Sequence, residues 1–173
     1  MSFFELSKKR YSVRKYLPCK VAPEKLGVIL RAGRAAPTAA NRQPQRMLVV
    51  QKQAGLDKIS TAANIHGAPL AIIVCADKDT AWVRERYDSM VTTDIDASIV
   101  TTQMMLAAAD LGLGSLWICH FDPEGIRTQF NLPENWIPVN ILAIGYADGE
   151  PASPDRHAQL RKPLDETVFF EEL

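Results

Sequence analysis

Arg10-Tyr11-Ser12-Val13-Arg14 sets two guanidiniums and a hydroxyl within five residues. Farther along, Pro37-Thr38-Ala39-Ala40-Asn41-Arg42-Gln43-Pro44 forms a polar run between a helical pattern and an apolar one. Neither stretch suits a buried core, since charged side chains are almost never fully buried unless paired. Both suit an anionic small molecule. A phosphate monoester carries close to two negative charges, and guanidiniums grip it through paired hydrogen bonds. For any single arginine a solvated surface charge is the commoner state, so the reading rests on the pattern. Near the far end, Arg161-Lys162 offers a second basic pair.

The flanking sequence supplies the scaffold. Residues 2–9 read as a short helix running into the basic turn. Pro23 opens the next helix, where its missing N–H is harmless, and Leu26, Ile29, Leu30 and Gly33 recur at helical spacing to about Ala36. Arg46 to Val50 reads as a strand whose near-continuous apolar character implies burial on both faces. A short helix over Ala54 to Ala63 and a second buried strand, Leu70 to Ala76, follow. Residues 77–92 are mixed and loop-like, a candidate substrate lid. The longest helix spans Thr93 to Asp110, capped by Thr93 or Asp94, with Asp96 as a further helix-start charge; Gly112 stops it. Leu116 to Cys119 is a third strand, Pro123 to Phe130 a small helix, and Pro138 to Gly145 a fourth strand.

After Tyr146 the prolines and charges rule out an independent core. The expected organisation is a single domain, with a core over 1–146. An extension over 147–173 packs on that core or on a partner subunit, ending in the apolar Val168-Phe169-Phe170.

The totals exclude several classes. A chain of 173 residues with a 47% hydrophobic fraction can build one sizeable core. Lys+Arg and Asp+Glu both number 20, which argues against nucleic-acid binding and gives no steering toward anionic membranes. No apolar run approaches the roughly 20 residues that cross a bilayer, and the N-terminus lacks a signal-peptide pattern, so a cytoplasmic protein is expected. Cys19, Cys75 and Cys119 are odd in number and widely spaced, which points to reduced thiols rather than a disulfide framework or a zinc site. No catalytic side chain stands out. Gly112-Leu113-Gly114-Ser115 follows a helix and opens a strand, the reverse of a dinucleotide fingerprint. His66, His120 and His157 are too scattered for a metal. Asp94 and Asp96 sit where a helix start favours negative charge, and so read as caps rather than an acid–base pair.

Four segments together resemble the nitroreductase-like flavoprotein family. Arg10-Tyr11-Ser12-Val13-Arg14 is similar to its Arg-Arg-Ser-Ile-Arg opening. Ala36 to Pro44 resembles its Ala-Pro-Ser-x-x-Asn-x-Gln-Pro loop. The Gly112 to Ile118 run and Arg161-Lys162-Pro163-Leu164-Asp165-Glu166 match its shorter members.

The resemblance implies an α+β three-layer fold around a mixed, mainly antiparallel sheet, and a homodimer with FMN at the interface. It places Arg10 and Arg161 on the FMN phosphate, with Lys162 beside them, and Ser12 at the phosphate or ribityl chain next to Tyr11. Arg14 lies near the flavin N1–C2=O edge, where reduction builds negative charge. Pro37, Thr38, Asn41 and Gln43 approach from the other subunit, and Asn64 reaches the pyrimidine edge. In Trp117-Ile118-Cys119-His120 a backbone N–H, that of Cys119, faces flavin N5; either the Cys119 and His120 side chains point away, or His120 tunes the flavin or touches substrate.

The implied activity carries hydride from NADH or NADPH through flavin N5 to a flat acceptor such as a nitroaromatic or quinone, in a ping-pong cycle. Ene-reduction, reductive dehalogenation, flavin fragmentation and a non-enzymatic flavin-binding role are the alternatives.

Overall fold

The computed structural model describes residues 1–172; Leu173, the last residue of the expected extension, lies outside them. Its sheet is built around two strands with no exposed face. β2 (Leu70–Asp77) is buried along its whole length, and β4 (Trp136–Gly145) is buried from Asn140 onward. The strand order is β1-β2-β4-β3, where β1 is Gln45–Val50 and β3 is Gly114–Ile118, and every neighbouring pair is antiparallel. The parallel element is a single bridge between Ser12 and Ser115.

Side chains alternate across the sheet and give each face its own core. Leu70, Ile72, Val74 and Ala76 face a layer made by α2 (Pro23–Arg34) and α4 (Thr93–Asp110). Ala71, Ile73 and Cys75 face the opposite way, against α3 (Gln53–Ser60) and α5 (Pro123–Phe130). Complete burial of one such Ile side chain is worth roughly 1.5–3 kcal/mol, and Ile72, Ile73, Ile141 and Ile144 are all at 0% exposure. Gly33 lets α2 sit close on α4, since a Cβ there would come within 2.8 Å of Met104 Cγ. The expected α+β three-layer arrangement is therefore present.

Local signals explain the boundaries. Pro23 sits at the start of α2, Asp122 caps α5 by accepting the Glu124 N–H, and Gly112 leaves α4 with φ 74°. Pro138, which has no N–H to give a ladder, coincides with a bulge where Val74 pairs Asn140 and Cys75 pairs Pro138.

Four expectations need correction. β1 is half-buried except at Val50, because it is the sheet's edge and its apolar residues cover the two cores from the side. α3 stops at Ser60 rather than Ala63, since Ala63 leaves the helix to bridge Phe121. β3 and β4 begin earlier than expected, at Gly114 and Trp136, and β3 ends at Ile118, leaving Cys119 beyond it. Thr92 is the α4 cap position, with no side-chain capping bond, so neither Thr93 nor Asp94 caps the helix. The three cysteines are free, and burial pushes the Cys75 thiol up to about 11.

The N-terminal segment is stitched to the sheet's open end. Val13 N–H donates to Ser115 O at 3.0 Å, Leu17 N–H to Tyr146 O at 2.9 Å, and Asp148 N–H to Lys15 O at 2.9 Å. Buried Tyr16 donates its hydroxyl to Val13 O, and burial pushes its phenol above the ordinary range. Val13 itself closes over Gly114, where a Cβ would lie 2.7 Å from Val13 Cγ2. Gly114→Ala should cost about 1–3 kcal/mol by overpacking, and adding Val13→Ala should relieve part of that cost. Urea unfolding of the two single variants and the double variant measures this coupling.

Candidate functional site

The basic pentad lies along the edge of β3. Ser12 bridges Ser115 in parallel register. Val13 points into the core, while Ser12 and Arg14 are exposed. Burial therefore alternates over residues 12–14, and that alternation frees Ser12 and Arg14 for a ligand. Tyr11 is half-buried and packs on the core beside Val13.

Three guanidiniums gather at the start of this segment. Arg10 follows α1 (Phe3–Lys9) as its cap residue. Its pKa is lowered by desolvation and then by the charges of Arg156 and Arg161. No salt bridge involves any of the three among the described residues. Like charges brought together without an acid repel one another, and an anion between them relieves that repulsion. The structure thus brings Arg10 and Arg161 together across the length of the chain. Lys162, also exposed, pairs with Glu166 at 3.4 Å.

Arg156, which the sequence does not single out, does the mechanical work. Its guanidinium donates to Lys8 O at 3.1 Å, to Ser153 O at 2.8 Å and to Arg10 O. His157 adds a contact from Nε2 to Lys8 O at 3.2 Å. One fork therefore fastens the α6 turn (Arg156–Leu160) to the end of α1 and leads Arg161 toward Arg10. No motif marks it, because two of its three partners are backbone carbonyls nearly 150 residues away. A cleft of about 350 Å³ lies beneath this junction, between residues 9–13, residues 112–115 and the 151–154 strap.

Farther along β3, Trp117 is half-buried and Ile118 buried, while Cys119 and His120 are exposed. Trp117 Nε1 and Ser115 Oγ are buried without a hydrogen-bond partner. Such orphaned atoms are costly unless a ligand satisfies them. The Ala63–Phe121 bridge brings Asn64 beside His120 at the mouth of a shared cleft. Asn64 Oδ1 accepts the His66 N–H at 2.9 Å, which orients the amide.

The polar loop stands elsewhere. Ala40, Asn41 and Gln43 all have φ near +50°, a left-handed conformation that costs roughly 1–2 kcal/mol per residue for side chains other than Gly, Asn or Asp. Thr38 helps to hold it: its hydroxyl accepts the Gln43 N–H at 3.0 Å, and its carbonyl the Asn41 N–H at 2.9 Å. The loop is tied to β2 through Asp77 N–H to Pro44 O, and to α4 through Ala39 N–H to Asp96 Oδ1 at 2.8 Å. Pro37, Asn41 and Gln43 are exposed. These ties hold the loop to α4 and β2, whereas the arginine cluster belongs to α1 and the C-terminal arm.

Residues 77–92 are more ordered than their composition implies. Val83 bridges Val91, Thr92 N–H donates to Trp82 O at 3.0 Å, and Arg84 grips Asp88 to close a small hairpin. Its base shares a polar cleft with Arg42 of the loop.

Comparison with known proteins places this geometry. The nitroreductase family model matches residues 7–65 and 60–146. A crystal structure of a nitroreductase family protein from Clostridium difficile 630 superposes with a TM-score of 0.98 at 54% identity, over 100% of both chains. An FMN-dependent nitroreductase from Clostridium difficile R20291 gives 0.79 at 27% identity, over 99% of this chain and 100% of that one. A Methanothermobacter thermautotrophicus protein, provisionally named NADH dehydrogenase/NAD(P)H nitroreductase, is 33% identical over 90% of this chain and 82% of its own.

Arg156→Ala should release the arm. Charge-assisted bonds of this kind are worth about 1.5–3 kcal/mol each, so amide exchange over residues 156–166 should accelerate at least about tenfold. Arg156→Lys should recover only part of the protection, because the ammonium's donors radiate from one flexible atom and cannot span the carbonyls that the planar guanidinium reaches from two nitrogens.

Proposed function

The chain belongs to the nitroreductase family, and on that footing we propose that it is an FMN-dependent oxidoreductase passing electrons from NAD(P)H to a small flat acceptor such as a nitroaromatic or quinone. The observation that carries the reading is the cluster of Arg10, Arg156 and Arg161, which has no acidic partner among the described residues, at the end of a segment whose next exposed groups are Ser12 and Arg14. A phosphate fits that cluster, and the orphaned Ser115 Oγ and Trp117 Nε1 lie along the same strand.

FMN, held by these residues, would supply the redox chemistry of a ping-pong hydride transfer between nicotinamide and acceptor. The chain's own residues bind and bias. Arg10 and Arg161 hold the phosphate, with Lys162 adding long-range attraction. Ser12 contributes a short hydroxyl beside them. Arg14 offers positive charge to the flavin edge that becomes negative on reduction, which raises its tendency to accept electrons. Asn64 meets the pyrimidine edge through its amide, and the Trp117–His120 turn closes the N5 side.

The loop carrying Pro37, Thr38, Asn41 and Gln43 serves the site of a second copy, so the protein works as a homodimer. Exposed Phe3, Phe4, Leu160, Leu164, Phe169 and Phe170 support that assembly. Apolar surface of this extent on the two termini favours burial against a partner. Residues 147–172 then act as an arm that follows the core of 1–146 and reaches the partner. No described helix is long and apolar enough to cross a membrane.

The Arg10→Ala, Arg161→Ala double variant tests the phosphate assignment. Its FMN affinity should fall at least about 100-fold, since each 1.4 kcal/mol is a factor of ten and two charge-assisted contacts are removed. Unchanged affinity sinks the assignment. Anaerobic mixing of the FMN-loaded protein with NADH or NADPH should bleach the flavin within seconds to minutes. Bleaching by dithionite alone would leave a flavin-binding protein without this activity.

A further inference from the structure

Asp96 is 0% exposed and forms no salt bridge among the described residues. Burying a carboxylate without a cation is expensive unless strong donors satisfy it. Two donors do so here: Ala39 N–H to Oδ1 at 2.8 Å and Thr92 Oγ1 to Oδ2 at 2.9 Å. Its place in the first turn of α4 adds the favourable end of the helix dipole. Neither donor belongs to the sheet or to α4's regular ladder. One comes from the strained 38–43 turn, the other from the residue where the 82–92 hairpin enters the helix.

Thr92 is shared. Its hydroxyl also lies 3.2 Å from Trp82 O, and its N–H donates to the same carbonyl at 3.0 Å. The two segments that Asp96 joins also face each other across one polar cleft, Arg42 on one side and residues 79–85 on the other. The turn has reason to need an anchor. Its residues at Ala40, Asn41 and Gln43 hold left-handed backbone without a glycine, a conformation that persists only when its surroundings over-determine it.

We infer that Asp96 is a positioning residue. It holds the 38–43 turn in the shape that meets the cofactor, and through Thr92 it couples that turn to the 82–92 hairpin across the shared cleft. The anchor stands on geometry alone, whereas its effect on the cofactor rests on the proposed role of the turn at FMN.

The experiment uses the full-length protein with Asp96→Asn, Thr92→Val and Thr92→Ser. Asp96→Asn keeps the shape but removes the charge, Thr92→Val keeps the shape but removes the hydroxyl, and Thr92→Ser restores the hydroxyl. Amide exchange at residues 39–43 is followed without FMN, and FMN affinity is measured separately. For Asp96→Asn, which leaves a neutral acceptor in place of a charge-assisted one, and for Thr92→Val, which removes a donor outright, exchange should rise and affinity should fall, each by about tenfold, since charge-assisted bonds are roughly twice as strong as neutral ones. Thr92→Ser should match the unsubstituted protein in both. Unchanged exchange in Asp96→Asn overturns the anchor. Faster exchange with unchanged FMN affinity leaves the anchor standing but overturns its role at the cofactor, and with it the placement of this turn in the site. If Asp96→Asn fails to fold, the Thr92→Val and Thr92→Ser pair decides alone.

Discussion

A sheet whose two central strands are buried on both faces can offer polar groups to a ligand only at its rims. β2 has no exposed residue and the second half of β4 has none. The polar chemistry is therefore displaced to segments laid against the sheet rather than built into it. The pentad at residues 10–14 borrows order from β3 through the Val13–Ser115 hydrogen bond and the Val13–Gly114 contact. The 38–43 turn borrows it from α4 and β2.

Such borrowed segments need fastenings of their own, and the structure uses buried or half-buried charge to provide them. Arg156 spends its guanidinium on carbonyls at the end of α1. Asp96 spends its carboxylate on the turn and on Thr92. Asp77 does the same at the end of β2, accepting the Asp79 N–H at 3.1 Å while joining Arg46 at 2.9 Å and Asn135 Nδ2 at 2.8 Å. In each case the charged group satisfies donors or acceptors that irregular backbone would otherwise leave unpaired, a cost of about 1–3 kcal/mol for every buried group so stranded. Arg10, Arg14 and Arg161, the arginines proposed to meet the ligand, have no such side-chain partner among the described residues.

Much of this was legible in the residues, and what was hidden shares one cause. Pro23 and Gly112 mark helix ends through backbone chemistry that is local, and the alternation and length of the apolar runs mark the strands. The pentad stands out because its two guanidiniums and its hydroxyl are nearly consecutive in the chain. The edge position of β1 was not readable, because an apolar run shows a preference for burial and not which elements cover it. Asp96 reads as a helix cap for a similar reason: its true partner, Ala39, lies 57 residues away. Arg156 sits in a charged tail and gives no local sign that it reaches back to Arg10. Long-range polar contacts to backbone leave no pattern in composition or spacing.

The most direct test of a site built from two chains is subunit mixing. One chain carries Arg10→Ala with Arg161→Ala, and the other carries Asn41→Ala with Gln43→Ala. Each alone should hold little FMN. A site shared between protomers predicts that mixed dimers regain one FMN per dimer, because one of their two sites then combines an intact arginine cluster with an intact turn. Mixed dimers that hold no more FMN than either parent would contradict it.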